Sequence, residues 1–150
     1  MDGIDEAILA VLERDGRISN AELAERVGLS ASPCLRRVRR LENTGVIRGY
    51  RAVVDPNAVR RGLCVFAGAR LARHARADVL AFERAVVQLP EIKHSHHVTG
   101  NYDYLLHIEV ADLAGYEQFH ANQLAGLPGV AAVNSYVTMK TLNPETRNTR

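Results

Sequence analysis

The residues best suited to chemistry lie in one stretch, HSHHVTGNYDY, residues 94–104, where three of the six histidines fall within four positions. On an extended strand His94 and His96 point to one face and His97 to the other. A His-x-His pair offers two ligands to zinc, copper or nickel, but two ligands do not complete a site. His107 on the next run is a third candidate if register aligns it, whereas Ile92 and Val98, expected on the face of His94 and His96, point to packing at an interface. No metal is assigned. The turn that follows offers different chemistry. The backbone around Gly100 can present N–H groups to a carboxylate. Asp103 can accept from an ammonium, and Asn101 can donate or accept. His97 and Thr99 share one strand face leading into this turn, and Tyr102 lies within it. Such a turn suits a small zwitterion; it also suits an ordinary β-turn, where Gly and Asn serve for backbone permissiveness.

A second concentration of chemistry is cationic. Between Ser30 and Arg51 six arginines (36, 37, 39, 40, 48 and 51) face one acid, Glu42. The elements that carry them are readable. Asp2 can cap a first helix whose stripe is Ile4, Ile8, Leu9 and Leu12. Ser19 and Glu22 form a capping box for a short second helix, closed at Gly28. Ser32 caps a third with Pro33 at its first position, Ser30 being a near-equal alternative; Leu35, Val38 and Leu41 turn inward. A short capped helix, a turn at a glycine and a helix with an arginine face describe a helix-turn-helix. Ser30, Ser32 and Arg36 would lie nearest base edges, with Arg37, Arg39 and Arg40 near phosphates of double-stranded DNA. VIRGYRAVVD then reads as a strand or small wing. These bounds make residues 1–55 a DNA-binding domain and 56–63 a linker.

Residues 64–150 carry one pattern twice. A strand over 64–71, a helix with Val79, Phe82, Val86 and Leu89 inward, and a strand over 92–99 form the first pass. A strand over 104–110, a helix opened by Asp112 with Tyr116, Phe119 and Leu124 inward, and a strand over 133–139 form the second. Leu89-Pro90 and Leu127-Pro128 each stop a helix and launch a strand. The class is α+β: a winged helix-turn-helix followed by a ferredoxin-like βαββαβ domain. One sheet face should be covered by the helices. The other, expected to carry Leu105, Ser135 and Val137, needs a partner, and a second copy is the simplest.

Composition narrows the rest. Net charge is +2 and no apolar run approaches the roughly 20 residues of a membrane span. The acidic, amphipathic N-terminus is unlike a signal peptide. Cys34 and Cys64 have no C-x-x-C spacing, which fits a reducing compartment. The expectation is a cytoplasmic, nucleoid-associated protein.

The stretches DGRISNAELAERVGLSASPCLRRVRRLENTGVIRGY and VTGNYDYLLHIEV, with LPGV and SYVTMK beyond, resemble the Lrp/AsnC (feast/famine) transcription regulators over almost the whole chain. The resemblance implies a non-enzymatic, ligand-responsive regulator that dimerises and commonly assembles to octamers. It implies a small effector, usually an amino acid, bound between dimers near the family's G-D-Y-D loop, and no further cofactor. That loop here is Gly100-Asn101-Tyr102-Asp103, so Asn101 removes one carboxylate. It also implies that the last strand tunes the response, pointing to Tyr136, Val137 and Thr138. Some tetrapyrrole (siroheme) decarboxylases look like members of the same family, and the histidines would suit that alternative. A metal-responsive regulator is the other. The arginine face favours retained DNA binding over both.

Overall fold

The computed structural model describes residues 1–142; the expected last residues of the second domain, 143–150, lie outside the described residues. The chain divides into two compact units, Met1–Val53 and Val54–Arg150.

The first unit is three helices: α1 (Gly3–Arg14), α2 (Asn20–Arg26) and α3 (Ala31–Asn43). Asp2 and Ser19 each start a helix through a reciprocal capping box, with Asp5 and Glu22 as the returning acids. Ile8, Leu23, Ala24, Cys34 and Leu41 form the core. Two expectations change in α3. It begins two residues earlier than the Ser32 reading, with Ser30 as cap, and Ser30 makes no side-chain capping bond. The third helical residue is Pro33, which lacks the amide that a capping oxygen commonly takes. Cys34, not Leu35, holds the inner position; Leu35 is 38% exposed. The spacing 34, 38, 41 keeps one face inward, and burial pushes the Cys34 thiol up.

The expected wing strand does not form: residues 48–55 are irregular. A strand needs a paired neighbour, and this unit holds none. Tyr50 instead folds back, its ring 3.2 Å from where a Cβ on Gly16 would sit and its hydroxyl donating to Glu42 at 3.0 Å.

The second unit runs β1 (Leu63–Leu71), α4 (Arg76–Val86), β2 (Ile92–His97), β3 (Tyr104–Val110), α5 (Leu113–Phe119) continuing as a π-helical turn (His120–Leu124), and β4 (Val130–Val137). The sheet order is β2-β3-β1-β4, with every pairing antiparallel. This is the ferredoxin-like arrangement. Its core joins Val65, Ala67, Leu106 and Ile108 of the sheet to Phe82, Val86 and Phe119 of the helices. Truncating fully buried Phe82 to Ala would cost about 3–5 kcal/mol.

Register decides the faces. Ser135 pairs with buried Ala67, and its hydroxyl bonds Tyr116 of α5, so Ser135 and, by alternation, Val137 lie on the helix side. The open side carries Leu105, as expected, with Phe66 and Tyr136 in place of the other two, all at least 38% exposed. A bulge between Ile92 and His94 sets Ile92 opposite Ile108 and His94 opposite His107. Ile92 therefore leaves the face of His94 and His96, correcting the simple alternation.

Candidate functional sites

On α3 the arginines divide. Arg37 bonds both oxygens of Asp2 at 2.9 and 2.8 Å and Asp5 at 2.8 Å. Arg40 reaches the other oxygen of Asp5 at 2.6 Å. Asp5 is 1% exposed, so these guanidiniums neutralise a buried charge and tie α3 to the start of α1. The capping amide of Asp5, then Arg37, lowers the Asp2 carboxyl to about 2. Burial pushes Asp5 upward, but Arg37, the Asp2 amide and the Arg40 charge outweigh it, and its carboxyl also ends below the ordinary range. Arg37, expected at a phosphate, is thus occupied within its own domain, and Arg40 largely so.

Arg36 and Arg39 make no ion pair among the described residues. With Ser32, Leu35, Asn43 and the flank of Arg40 they line one shallow groove along α3. Ser30, at the head of the helix, keeps its hydroxyl out of any capping bond. Asn20 of α2 donates to the Ala31 carbonyl at 2.8 Å, joining the two helices at the turn. The result is a basic stripe with hydroxyls at its N-terminal end, the chemistry a DNA groove requires.

In the αβ domain the loop after β2 closes on the end of β1. Val98 donates to the Asp103 carbonyl and the Asp103 amide to Ala69, both at 2.9 Å. The Asp103 carboxylate accepts from the Leu71 amide at 2.7 Å and contacts His74 Nε2 at 2.8 Å. The Leu71 bond, then His74, holds its carboxyl below the usual range against burial. Both Asp103 oxygens already have partners, so the expected ammonium acceptor also fastens the loop. Gly100 adopts φ +117°, which favours glycine.

A cavity of about 300 Å³ opens here, lined by Arg70, Leu71, His74, Gly100, Asn101 and Asp103. Gly100, Asn101 and Asp103 come together as expected; Arg70, Leu71 and His74 were not anticipated. Their approach follows from the pairing of Ala69 with Tyr104, which sequence spacing does not display.

Other expected members go elsewhere. Tyr102 lies flat over Gly68, where a Cβ would meet the ring at 2.6 Å. Its hydroxyl bonds Tyr136 at 2.6 Å and accepts from Asn134 at 3.0 Å. The Tyr136 bond, then Asn134, draws the Tyr102 hydroxyl down, while Tyr102 pushes that of Tyr136 up. His97 stacks on Tyr104, ring centroids 4.7 Å apart, on the helix side of the sheet. His97, Thr99, Val137 and Thr138 do not line the cavity. Thr138 follows β4 and donates its amide to Cys64 at 3.0 Å. His94 stacks with His107 and with His96 at centroid distances of 5.6 and 6.3 Å. Among the described residues no three His, Cys, Asp or Glu side chains are arranged to hold a metal ion.

A helix-turn-helix with a basic stripe, joined to an αβ domain with a small polar cavity, defines the class of ligand-responsive DNA-binding regulators. Comparison with known proteins sharpens this. A family model described as winged helix-turn-helix DNA-binding matches residues 1–48, and the Lrp/AsnC ligand binding domain matches residues 64–148. The chain is 44% identical over 147 residues to the leucine-responsive regulatory protein of Escherichia coli strain K12, covering 98% of this chain and 90% of the relative. A transcriptional regulator from Neisseria meningitidis, solved as an L-Met complex, superposes with a TM-score of 0.90 at 36% identity, covering 95% of this chain and 92% of that one. An AsnC family regulator from Agrobacterium tumefaciens gives 0.90 at 35% identity, over 95% and 93% of the two chains. The chain belongs to the Lrp/AsnC family of transcriptional regulators.

Proposed function

We propose that this regulator presents Ser30, Ser32, Arg36 and Arg39 to double-stranded DNA, while Arg37 and Arg40 brace the helix that carries them. Residues 1–55 form the DNA-binding domain, 56–63 the linker and 64–150 the effector and assembly domain. The observation that carries this reading is the division on α3: Arg37 and Arg40 neutralise buried Asp5, while Arg36 and Arg39, which share one groove with the flank of Arg40, make no ion pair among the described residues. Its place of action is the nucleoid, and its role is regulatory rather than catalytic.

The effector is an amino acid held in the cavity beside Gly100. The names of the relatives, one leucine-responsive and one solved with L-Met, support that class. Arg70 suits the effector carboxylate; Asn101 and the remaining lone pairs of Asp103 suit its ammonium. The open sheet face, with Phe66, Leu105 and Tyr136, suits a second copy, and dimers would assemble further, to octamers in the family's manner. Effector binding then shifts the balance between assembly states that differ in DNA affinity.

The test is a DNA-binding titration with and without each amino acid. At least one should change the affinity of the wild type. Asp103→Asn should lose the response while keeping basal affinity. A full response in that variant removes Asp103 from the site.

A further inference from the structure

The αβ domain carries a second cleft, of about 430 Å³, where β3 ends and β1 begins. The loop cavity lies before β3 and this cleft after it, so the two are at opposite ends of that strand, roughly 20 Å apart at about 3.4 Å per residue. Arg60, Arg61, Glu91, Lys93, Gln118 and Asn122 are among its walls.

Three features single it out. Glu91 Oε2 is shielded from solvent and has no hydrogen-bond partner among the described residues. A carboxylate oxygen so placed has lost water without replacement, and an incoming donor would restore that bond. The wall bearing Asn122 is the π-helical turn His120–Leu124. Such turns are rare and occur frequently at functional sites. Arg60 adopts φ +54°, uncommon outside glycine. The surrounding turn holds it there: Arg61 donates its amide to Pro56 at 2.7 Å, and a Cβ on Gly62 would meet Asn57 Oδ1 at 2.5 Å. Strain retained by a closed turn places two successive guanidiniums beside the cleft.

The charges select a ligand. A simple anion would meet Glu109 and the Glu91 oxygen that has no partner among the described residues. A simple cation would meet Arg60, Arg61 and Lys93. A small zwitterion satisfies both, and the side-chain amides of Gln118 and Asn122 can donate or accept beside it. The volume falls in the range of about 300–1,000 Å³ that small-molecule sites occupy. We infer that this cleft is a second ligand site, taking a free amino acid with its ammonium on Glu91 and its carboxylate against Arg60 and Arg61. It stands apart from the loop cavity, sharing no lining residue with it.

The inference rests on the proposed function for its choice of background: the experiment uses the full chain carrying Asp103→Asn, the change expected to silence the loop site, in a thermal-shift screen of the twenty amino acids. At least one amino acid should still raise Tm, since a ligand binding only the native state stabilises it. Adding Glu91→Gln should abolish that shift. Adding Arg61→Ala instead, at an exposed side chain, should weaken binding about tenfold, the loss of one charge-assisted bond. The same ligand skeleton lacking either its ammonium or its carboxylate should give no shift. The inference is overturned if none of the twenty shifts the Asp103→Asn protein, or if the shift survives Glu91→Gln. The two sites fail separately: wild type responding where Asp103→Asn does not leaves only the loop, and equal responses that Glu91→Gln then abolishes leave only the cleft.

Discussion

Helix α3 and the loop after β2 use charge in opposite ways. On α3 the cations are divided, Arg37 and Arg40 pairing with Asp5 and Arg36 and Arg39 unpaired among the described residues. In the loop one carboxylate does both jobs: Asp103 fastens the chain to Leu71 and His74 and lines the cavity. The difference teaches that residue type names the available chemistry, while the tertiary partner decides whether it is available to a ligand. On the helix the two roles are separable by mutation. In the loop they are fused, which is why the conservative Asp103→Asn, able still to accept from the Leu71 amide, is the informative change there.

The sharpest way to break the comparison is to exchange roles on α3. Asp5→Ala should lower Tm more than Ala at exposed Glu6, because two guanidiniums lose the carboxylate they surround. Arg37→Ala should likewise lower Tm, leaving Asp5 buried without its principal cation. The double change Arg36→Ala and Arg39→Ala should leave Tm unchanged and weaken DNA binding about 100-fold, with a salt dependence shallower by about two. Fluorescence anisotropy across a salt series, beside thermal melts, reads both. Equal Tm losses for the two pairs would erase the division.

A smaller effect is expected at the sheet. Gly68→Ala places a methyl group against the Tyr102 ring and should cost about 1–3 kcal/mol. The Tyr102–Tyr136 bond should loosen with it, observable as altered tyrosine titration. An unchanged stability would mean that the ring lifts freely.

The smallest effect separates the units by acid. Burial holds the His107 imidazole below its ordinary 6.5, with the charges of His94 and Lys93 adding to this and Glu109 opposing it. A depressed histidine favours the neutral form when folded, so its contribution to the αβ domain should weaken as pH falls below about 6.5. The carboxyls of Asp2 and Asp5 are depressed instead, so their contribution is present above the unfolded value of 3.8. For Asp2 it is lost as pH falls toward about 2. Residue-resolved hydrogen exchange across pH should show the sheet weakening first. Simultaneous weakening of both units would rule out this assignment of the titrating groups.

Much was legible before any coordinates. The capping boxes at Asp2–Asp5 and Ser19–Glu22 are local hydrogen-bond patterns, and local patterns survive in a string of residues. So do the twice-used helix and strand periodicities and the permissive backbone at Gly100. The ferredoxin-like pairing was legible too, from the repeated pattern. What failed were particular inferences about which partner a residue meets far along the chain. The wing lacked a neighbouring strand. A single inserted residue near Lys93 moved Ile92 to the other face. Ser135 and Val137 fall on the helix side of the sheet because β4 pairs Ser135 with Ala67, although both stay exposed there.

The sequence by itself determined the family of the protein and the order of its elements, and it marked the two stretches proposed for recognition. Those follow from short-range sterics and hydrogen bonding, which act within a few residues. Only the tertiary structure decided which arginines are unpaired among the described residues, that Arg70 and His74 join the loop cavity, and that Glu91 Oε2 meets no donor among those residues. Each of these depends on side chains from distant segments meeting at a few ångströms, where Coulomb attraction and desolvation are strong enough to reassign a charge.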